Sequence, residues 1–310
     1  MTWRKFAKFV CLLTVGSLLV ANQSQLAAQT ATAFAVPDND SFVRSATPTS
    51  NYGAGGALSV SGAASTNDLG QQNGLFNSLI LFPLTNVITS FDETFGAHNW
   101  LITRVRLILN ESAAPMNSIF NRGVGAFEVF WIASNNWIEG TGKPNMPTTD
   151  GVAWQDLTTI LNSNLDTSLG MFTNAGVDGA EFFSLALADR FISGIRQAGE
   201  VALRLTAASP NVGFTFNSRN FGNTNAQPLL EVTATTDPKA QIESITITGT
   251  NILIQFSTIS NWTYHVQGAS GLGSAWSNLH TFSPQSTNGH ASFVDGVTNV
   301  HKFYRLLVSQ

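Results

Sequence analysis

The sequence predicts an all-β protein, and three observations support that class. Charged residues make up only 11% of the chain, against about 25% in an average globular protein. Ser, Thr, Asn and Gly take their place, and this composition is poor in helix formers. Apolar residues reach 43%, enough for a hydrophobic core, and they recur in short runs of period two that turn residues separate.

The first 28 residues have the pattern of a signal peptide. Arg4, Lys5 and Lys8 form a basic start, and the apolar run at 9–21 is too short to span a bilayer. We expect cleavage after Ala28, and Ala31-Thr32-Ala33 or Ala33-Phe34-Ala35 would also suit a signal peptidase. The alternative is an uncleaved N-terminal anchor. The expected product is a secreted or cell-surface protein without a stable membrane span.

Cysteine usage and charge exclude several function classes. Cys11 is the only cysteine, so the mature chain has no disulfide, no zinc-thiolate site and no cysteine nucleophile. Cleavage removes three basic residues and no acidic ones, which moves the formal charge from −4 to −7. Because phosphate binding depends on a basic face, nucleic acid is not an expected partner.

Strand patterns begin at residue 38. Residues 38–60 predict two short strands joined by a loop, and residues 77–83 predict a core strand that Pro83 ends. Residues 126–133 predict a strand that is buried on both faces. In residues 101–109, Arg104 and Arg106 are predicted to face outward together with Ile102 and Ile108. The alternate side chains of that strand are predicted to face the core, namely Leu101, Thr103, Val105, Leu107 and Leu109.

The composition of the chain changes at residue 135. Residues 135–155 are rich in Gly, Pro, Asn and Thr and predict a long loop, which is a frequent place for a site. Short helices are predicted at 156–161 and 187–195, and strands are predicted at 201–206, 214–216 and 229–232. A polar segment at 236–240 predicts a linker. It separates a domain at 34–235 from a small domain at 241–310, which starts with a hairpin at 245–256.

Several short motifs in the larger domain resemble the DNRLRE domain family. They are Asp38, Val43-Arg44, Asn51-Tyr52-Gly53, Leu58-Ser59-Val60, the 102–109 strand, Trp137-Ile138-Glu139, Phe216-Asn217-Ser218-Arg219 and residues 228–232. The resemblance implies a jelly-roll-like β-sandwich on a bacterial secreted or surface protein. The family is related to carbohydrate-binding modules for alginate-like polysaccharides. The resemblance also implies structural roles, and not ligand binding, for Arg44 and the Asn51 motif. It implies a structural role for Arg219 as well, whose side chain would close onto backbone carbonyls or a carboxylate.

The C-terminal segment is similar to short immunoglobulin-like or fibronectin-like modules of secreted proteins from environmental bacteria. The motifs are Tyr264-His265-Val266-Gln267, Ala275-Trp276, Gly289, Phe293-Val294-Asp295 and Phe303-Tyr304-Arg305-Leu306. The similarity implies a small immunoglobulin-like β-sandwich with Trp276 and Tyr304 in its core, and it assigns these residues no chemistry.

Sugar binding needs aromatic rings that stack on a pyranose and polar groups that take its hydroxyls, and an acidic sugar adds Arg or Lys. The predicted ligand-binding residues are Trp100, Arg104, Arg106, Trp137, Lys143 and Trp154. Each tryptophan has the alternative of a place in the core. Arg104 and Arg106 have the alternative of keeping an exposed sheet soluble.

Asp38 and Asp40 are weak candidates for a metal site. Their carboxylates are hard oxygen ligands at positions i and i+2, and calcium needs about six to eight such donors. The alternative is a turn held by side chain to backbone hydrogen bonds. Apart from this possible calcium, the sequence implies no cofactor.

An enzymatic site is not predicted. The five histidines are spaced in no metal-binding or nucleophile pattern. Glu128, Glu139 and Asp150 could form a glycosidase pair only if the fold brought two of them to a suitable separation. The sequence therefore predicts a secreted, non-catalytic module that attaches to extracellular, acidic polysaccharide. The alternatives are a structural or adhesive surface protein and a polysaccharide-degrading enzyme.

Overall fold

A computed structural model describes residues 30–67, 69–111, 123–174, 179–236, 242–258, 262–271, 274–287, 289–296 and 302–309. The predicted signal peptide, and residues 237–240 of the predicted linker, lie outside these ranges. The protein is 53% strand and 14% helix and forms β-sandwiches, so the predicted all-β class is confirmed.

Residues 30–236 form a large β-sandwich. Its strands are β1 (Thr30–Ala35), β2 (Asn39–Arg44), β3 (Ala57–Ser61), β4 (Phe76–Pro83), β5 (Trp100–Glu111), β6 (Gly125–Ile132), β7 (Thr167–Asn174), β8 (Gly179–Leu185), β9 (Glu200–Ala207), β10 (Gly213–Asn217) and β11 (Leu229–Thr236). One layer has the order β8-β5-β11-β1, and the other has the order β2-β4-β9-β6-β7. The antiparallel pair of β3 and β10 joins the layers. Strand β3 has a single residue pair with β4, and β10 has a single residue pair with β5.

The main core fills the space between the two layers. Alternation along each strand sends every second side chain inward, so the two inner faces meet and exclude water. The contributors include Val105 and Leu107 on one layer and Ile80, Phe82 and Leu203 on the other, all fully or almost fully buried. A packed core of this kind supplies most of the stabilisation in a chain without disulfides.

A second core cluster lies on the outer side of the β2-β4-β9-β6-β7 layer. Strand residues such as Leu79, Leu81 and Ile132 pack there against Trp137 and Val152 from the segment between β6 and β7. The long predicted loop is therefore a cover over a sheet face. On β6 this cover buries Ile132 and part of Phe130, while Phe127 and Val129 enter the main core. The predicted burial of β6 on both faces is confirmed only in part, because Glu128 and Phe130 on the outer face stay half-buried.

The helices are short and lie at the ends of strands. They are α1 (Thr85–Phe95), α2 (Leu157–Ile160) and α3 (Asp189–Ser193), and α3 continues into one turn of π-helix at Gly194–Ala198. The predicted helices near 156–161 and 187–195 are confirmed. The sequence analysis missed α1, although Val87 and Phe91, four residues apart, are buried in the main core in the pattern of an amphipathic helix. Among the described helices, none combines the length and the apolar character needed to cross a bilayer.

A β-bulge changes the facing of residues in β5. Ile102 pairs with Ala234 and Arg104 pairs with Thr233, so Thr103 is an extra residue between two adjacent partners. The predicted outward position of Ile102 is therefore wrong, because Ile102 joins Val105 in the main core while Thr103 and Arg104 are both exposed.

Residues 242–309 contribute two three-stranded sheets. The strands are β12 (Ile242–Thr248), β13 (Asn251–Thr258), β14 (Thr263–Ala269), β15 (Ser277–Phe282), β16 (Gly289–Gly296) and β17 (Phe303–Ser309), in the orders β12-β13-β16 and β15-β14-β17. The predicted hairpin is confirmed, with Gly249 in its turn at φ +60°. Tyr304 packs against the core of these sheets, as expected. Trp276 does not, because its ring lies under the Arg305 guanidinium at 4.5 Å.

Candidate functional site

Three segments that carry the family resemblance meet in one buried polar cluster. The amide of Asn51 is fully buried and donates to the backbone oxygens of Glu139 at 2.6 Å and Val152 at 2.9 Å. Its oxygen accepts from the N–H groups of Gly53 and Gly142, both at 3.1 Å. All four hydrogen-bonding positions of this side chain are used, so Asn51 ties the loop after β2 to the loop after β6.

Close backbone approach explains the glycines around Asn51. A Cβ at Gly53 would lie 2.0 Å from the oxygen of Glu139, and one at Gly142 would lie 1.9 Å from the oxygen of Asn51. No side chain can occupy those positions without moving the backbone. The Asn51-Tyr52-Gly53 motif therefore serves the fold, as the resemblance implied.

Asp40, Glu139 and Arg219 form the charged part of the same cluster. Arg219 donates to the Glu139 carboxylate at 2.5 Å, and its backbone N–H donates to Asp40 at 2.7 Å. Burial raises the pKa of Asp40 to about 8 and also raises the pKa of Glu139. The guanidinium of Arg219 pairs with Glu139 and the backbone N–H of Arg219 donates to Asp40, so the raised pKa favours the neutral form of the buried Asp40. The predicted closing of Arg219 onto a carboxylate is confirmed.

The structure does not bring Asp38 and Asp40 together as a calcium site. Asp38 is exposed, whereas Asp40 has no exposed surface and accepts from Arg219. Within the described part of the chain, no group of three or more His, Asp or Glu side chains is placed to hold a metal ion. The metal prediction is therefore wrong for this pair, because strand pairing buries one carboxylate and leaves the other in solvent.

The candidate carboxylates for a glycosidase are each engaged elsewhere. Glu139 pairs with Arg219, and Glu128 accepts from the Ser168 hydroxyl at 2.5 Å. Asp150 accepts from the Thr141 and Thr148 hydroxyls, and these hydrogen bonds lower its pKa to about 2. A general acid needs the opposite shift, toward neutral pH.

Trp100 does not present a ring to solvent. It is fully buried in the main core, where Phe91 of α1 packs on it with ring centroids 5.2 Å apart. Its Nε1–H donates to Asp92 at 2.7 Å, and Arg196 lies over the ring at 5.3 Å. The predicted ligand-binding role of Trp100 is wrong. The polar residues that precede Trp100 in the sequence suggested exposure, but α1 covers its ring.

Trp137 and Trp154 belong to the second core cluster. Trp137 is 8% exposed, and Trp154 is half-buried against the same cluster. Trp137 is not available for stacking in this packing, which corrects its predicted role. It borders a groove of about 360 Å³ that Asp150, Gly151 and Asp156 also line. Lys143 is exposed at a turn that pairs its backbone with Met146.

Arg104 and Arg106 lie together on the outer face of the β8-β5-β11-β1 layer, as predicted. Arg106 holds the Glu231 carboxylate through two hydrogen bonds of 2.8 and 2.6 Å, and Arg104 reaches the same carboxylate at 3.1 Å. The hydrogen bonds from Arg106 lower the pKa of Glu231 and raise that of Arg106. Two cations thus share one anion, and the Arg104 side chain remains 50% exposed.

Two phenylalanines flank these arginines. Cross-strand pairing aligns Phe34 of β1 with Glu231 of β11 and then with Arg106 of β5. On the other side, the Arg106 guanidinium lies over the ring of Phe182 of β8 at 5.1 Å. Phe34 is 54% exposed and Phe182 is 56% exposed. We call this surface the arginine face, and define it by Phe34, Arg104, Arg106, Phe182 and Glu231.

The phenylalanines of the arginine face were not predicted from the sequence. A usable signal was present for Phe182, because it adjoins Phe183 in a strand and adjacent side chains point to opposite faces. Phe183 is buried, so Phe182 faces outward. Which partner strand lies beside it depends on a pairing between segments far apart in the chain.

No protein-family model matches this chain, and no curated protein matches it. A solved structure that aligns with it is titled "Structure of the Macrobrachium rosenbergii Nodavirus". The alignment covers 99% of this chain and 98% of the viral chain, at 10% identity and a TM-score of 0.21. That TM-score is too low to establish a common topology.

Proposed function

We propose that the protein is a secreted, non-catalytic module that attaches to extracellular acidic polysaccharide through the arginine face. The observation that supports this function is the pairing of two arginines with a single carboxylate on an exposed sheet, between two half-exposed phenylalanine rings. The surface combines an excess of positive charge with aromatic rings.

The chemistry of the arginine face suits a chain of uronic acids. Guanidinium groups bind carboxylates through paired, charge-assisted hydrogen bonds. Arg104 shares Glu231 with Arg106 and is half exposed, so its remaining N–H groups can reach a sugar carboxylate. The rings of Phe34 and Phe182 offer apolar surface for the C–H face of a pyranose. An exposed sheet face can take a polymer along its length, without a closed pocket.

Affinity electrophoresis of the mature chain tests this proposal. We expect retardation in gels that contain polygalacturonate but none in gels that contain dextran, and the retardation should weaken as salt rises because exposed charges are screened. Arg104→Gln or Phe182→Ala should weaken retention about tenfold, equivalent to about 1.4 kcal/mol. Equal retention by dextran, or unchanged retention by both variants, would contradict the proposal.

A matched control variant is Arg190→Gln. Like Arg104→Gln, this change removes one positive charge from the protein. Arg190 lies away from the arginine face, where it donates to the backbone oxygens of Asn164 and Leu165. Retention of this variant should equal that of the unchanged protein. If Arg190→Gln weakens retention as much as Arg104→Gln does, then only net charge matters and the site assignment fails.

A structural or adhesive role is the second candidate, and β1 favours it. This strand lies at the end of its layer, and Phe34 and the nearby Val36 are 54% and 55% exposed. Exposed apolar residues at a sheet edge are suited to contact with another protein. Concentration-dependent self-association without retention by any polysaccharide would favour this role.

A further inference from the structure

A separate groove lies at the end of β2, on the other layer of the sandwich. Its volume is about 260 Å³. Ligand pockets for drug-sized molecules span about 300–1,000 Å³, so this groove suits a smaller ligand such as one sugar ring. The lining residues are Phe42, Arg44, Tyr52, Asn67, Asn73, Phe76 and Pro144. We call it the Arg44 groove.

Arg44 is held in place without a counter-ion. Its Nε–H donates to the backbone oxygen of Asn73 at 3.1 Å, and its guanidinium lies 5.3 Å from the ring centroid of Phe76. Within the described residues no carboxylate lies within 4.0 Å of it. In contrast, Arg104, Arg106 and Arg219 each pair with a glutamate. Among the described residues, the terminal N–H groups of Arg44 therefore have no anionic partner.

The walls of the Arg44 groove are rigid. Phe42 and Tyr52 stack with centroids 4.7 Å apart and an interplanar angle of 8°, and Phe42 also contacts Phe76 at 5.6 Å. The Tyr52 hydroxyl forms a 2.7 Å hydrogen bond with the Thr47 hydroxyl. These rings are almost fully buried, so the groove exists before any ligand arrives.

We propose that the Arg44 groove binds a single carboxylate-bearing sugar residue, with the carboxylate on Arg44. The planar guanidinium matches a carboxylate. Asn67 and Asn73 line the same groove, and the Asn67 side chain holds the turn there by accepting from the backbone N–H groups of Leu69 and Gln71 and donating to the Gln71 side chain. The groove stands on elements other than the arginine face, so it binds its ligand even if that face binds nothing.

Isothermal titration of the mature protein tests this proposal with galacturonic acid, galactose and inorganic sulfate as separate probes. We expect galacturonate to bind with a dissociation constant in the millimolar range, equivalent to about −4 kcal/mol, and galactose to bind at least tenfold more weakly. Arg44→Gln should lower galacturonate affinity at least tenfold, and Arg104→Gln should leave it unchanged. Sulfate binding as tight as that of galacturonate would identify a general anion site and overturn the sugar assignment.

A measurement on the unchanged protein covers the case in which Arg44→Gln does not fold. Amide chemical shifts of the labelled protein are followed while galacturonate is added. Shifts centred on Arg44, Asn67 and Asn73 support the proposal. Shifts centred on the arginine face, or no shifts at all, overturn it. Loss of polygalacturonate retention without loss of galacturonate binding would contradict the proposed function alone.

Discussion

At the scale of single residues, the most consequential side chain is Asp40. It has no exposed surface, it lies close to Glu139, and its pKa is raised to about 8, mainly because burial disfavours its charged form. Its ordinary pKa is 3.8. Between these values the folded protein holds a proton that the unfolded chain releases. The free energy of unfolding therefore falls as pH rises from about 4 to about 8.

Asp40→Asn should remove this pH dependence. The variant keeps an oxygen that can accept from the Arg219 N–H, but it has no charge to bury. We expect it to match the unchanged protein near pH 4 and to be more stable at pH 8 by up to a few kcal/mol. Urea unfolding at pH 4, 6 and 8 measures the difference. Asp38→Asn, at an exposed position, is the control, and an Asp40→Asn effect that is the same at every pH would contradict the account.

At the scale of elements, the bulge in β5 decides which side chains reach the core. Thr103 is the extra residue, so Ile102 and Val105 both face inward although they are three positions apart. A regular strand would place them on opposite faces. The bulge thereby keeps Trp100 and Ile102 in the main core and leaves Arg104 and Arg106 on the arginine face.

Deletion of Thr103 should be tolerated better than deletion of a residue from a regular strand. Without Thr103 the ladder becomes regular and every side chain of β5 keeps its face, so we expect a loss of about 1–2 kcal/mol. Deletion of Thr215 from β10 is the matched control, because it makes the buried Phe214 and Phe216 adjacent and turns one of them outward. Thermal unfolding compares the two. Equal damage from both deletions would contradict this interpretation of the bulge.

At the scale of the whole molecule, a side chain of the large sandwich packs against the C-terminal sheets. Leu101 of β5 is half-buried and packs against the cluster of Ile254, Phe256, Trp262 and Tyr264. The bulge gives Leu101 its outward direction, since it lies on the face opposite to Trp100 and Ile102. The sequence analysis placed Leu101 in the main core. It instead contributes to the contact between the two parts.

Leu101→Ser should loosen this contact while both parts stay folded. We expect a larger radius of gyration in small-angle scattering and a lower unfolding temperature for the C-terminal sheets in calorimetry, because the change removes apolar packing at the contact. Leu165→Ser is the control, since Leu165 is 41% exposed and lies outside that cluster. Identical scattering from Leu101→Ser and the unchanged protein would show that Leu101 does not hold the two parts together.

Much of the fold could be predicted from the sequence, and less of the candidate site. Alternation revealed β5 and β6, and the facing of Arg104 and Arg106 followed from it. The burial of Trp100 could not be predicted, because α1 covers it and that helix was missed. The Arg44 groove depends on contact between β2, β4 and the segment at Pro144, which are far apart in the chain.

The sequence by itself determined the all-β class, the short helices after the 135–155 segment and the C-terminal hairpin, because period and turn chemistry are local properties. Only the tertiary structure decided that Trp100 and Trp137 are core residues, that a bulge divides β5, and that Arg44 lines a groove where no carboxylate of the described residues pairs with it. Burial and ion pairing depend on which distant segments meet, and the periodicity of a strand carries no information about its partner.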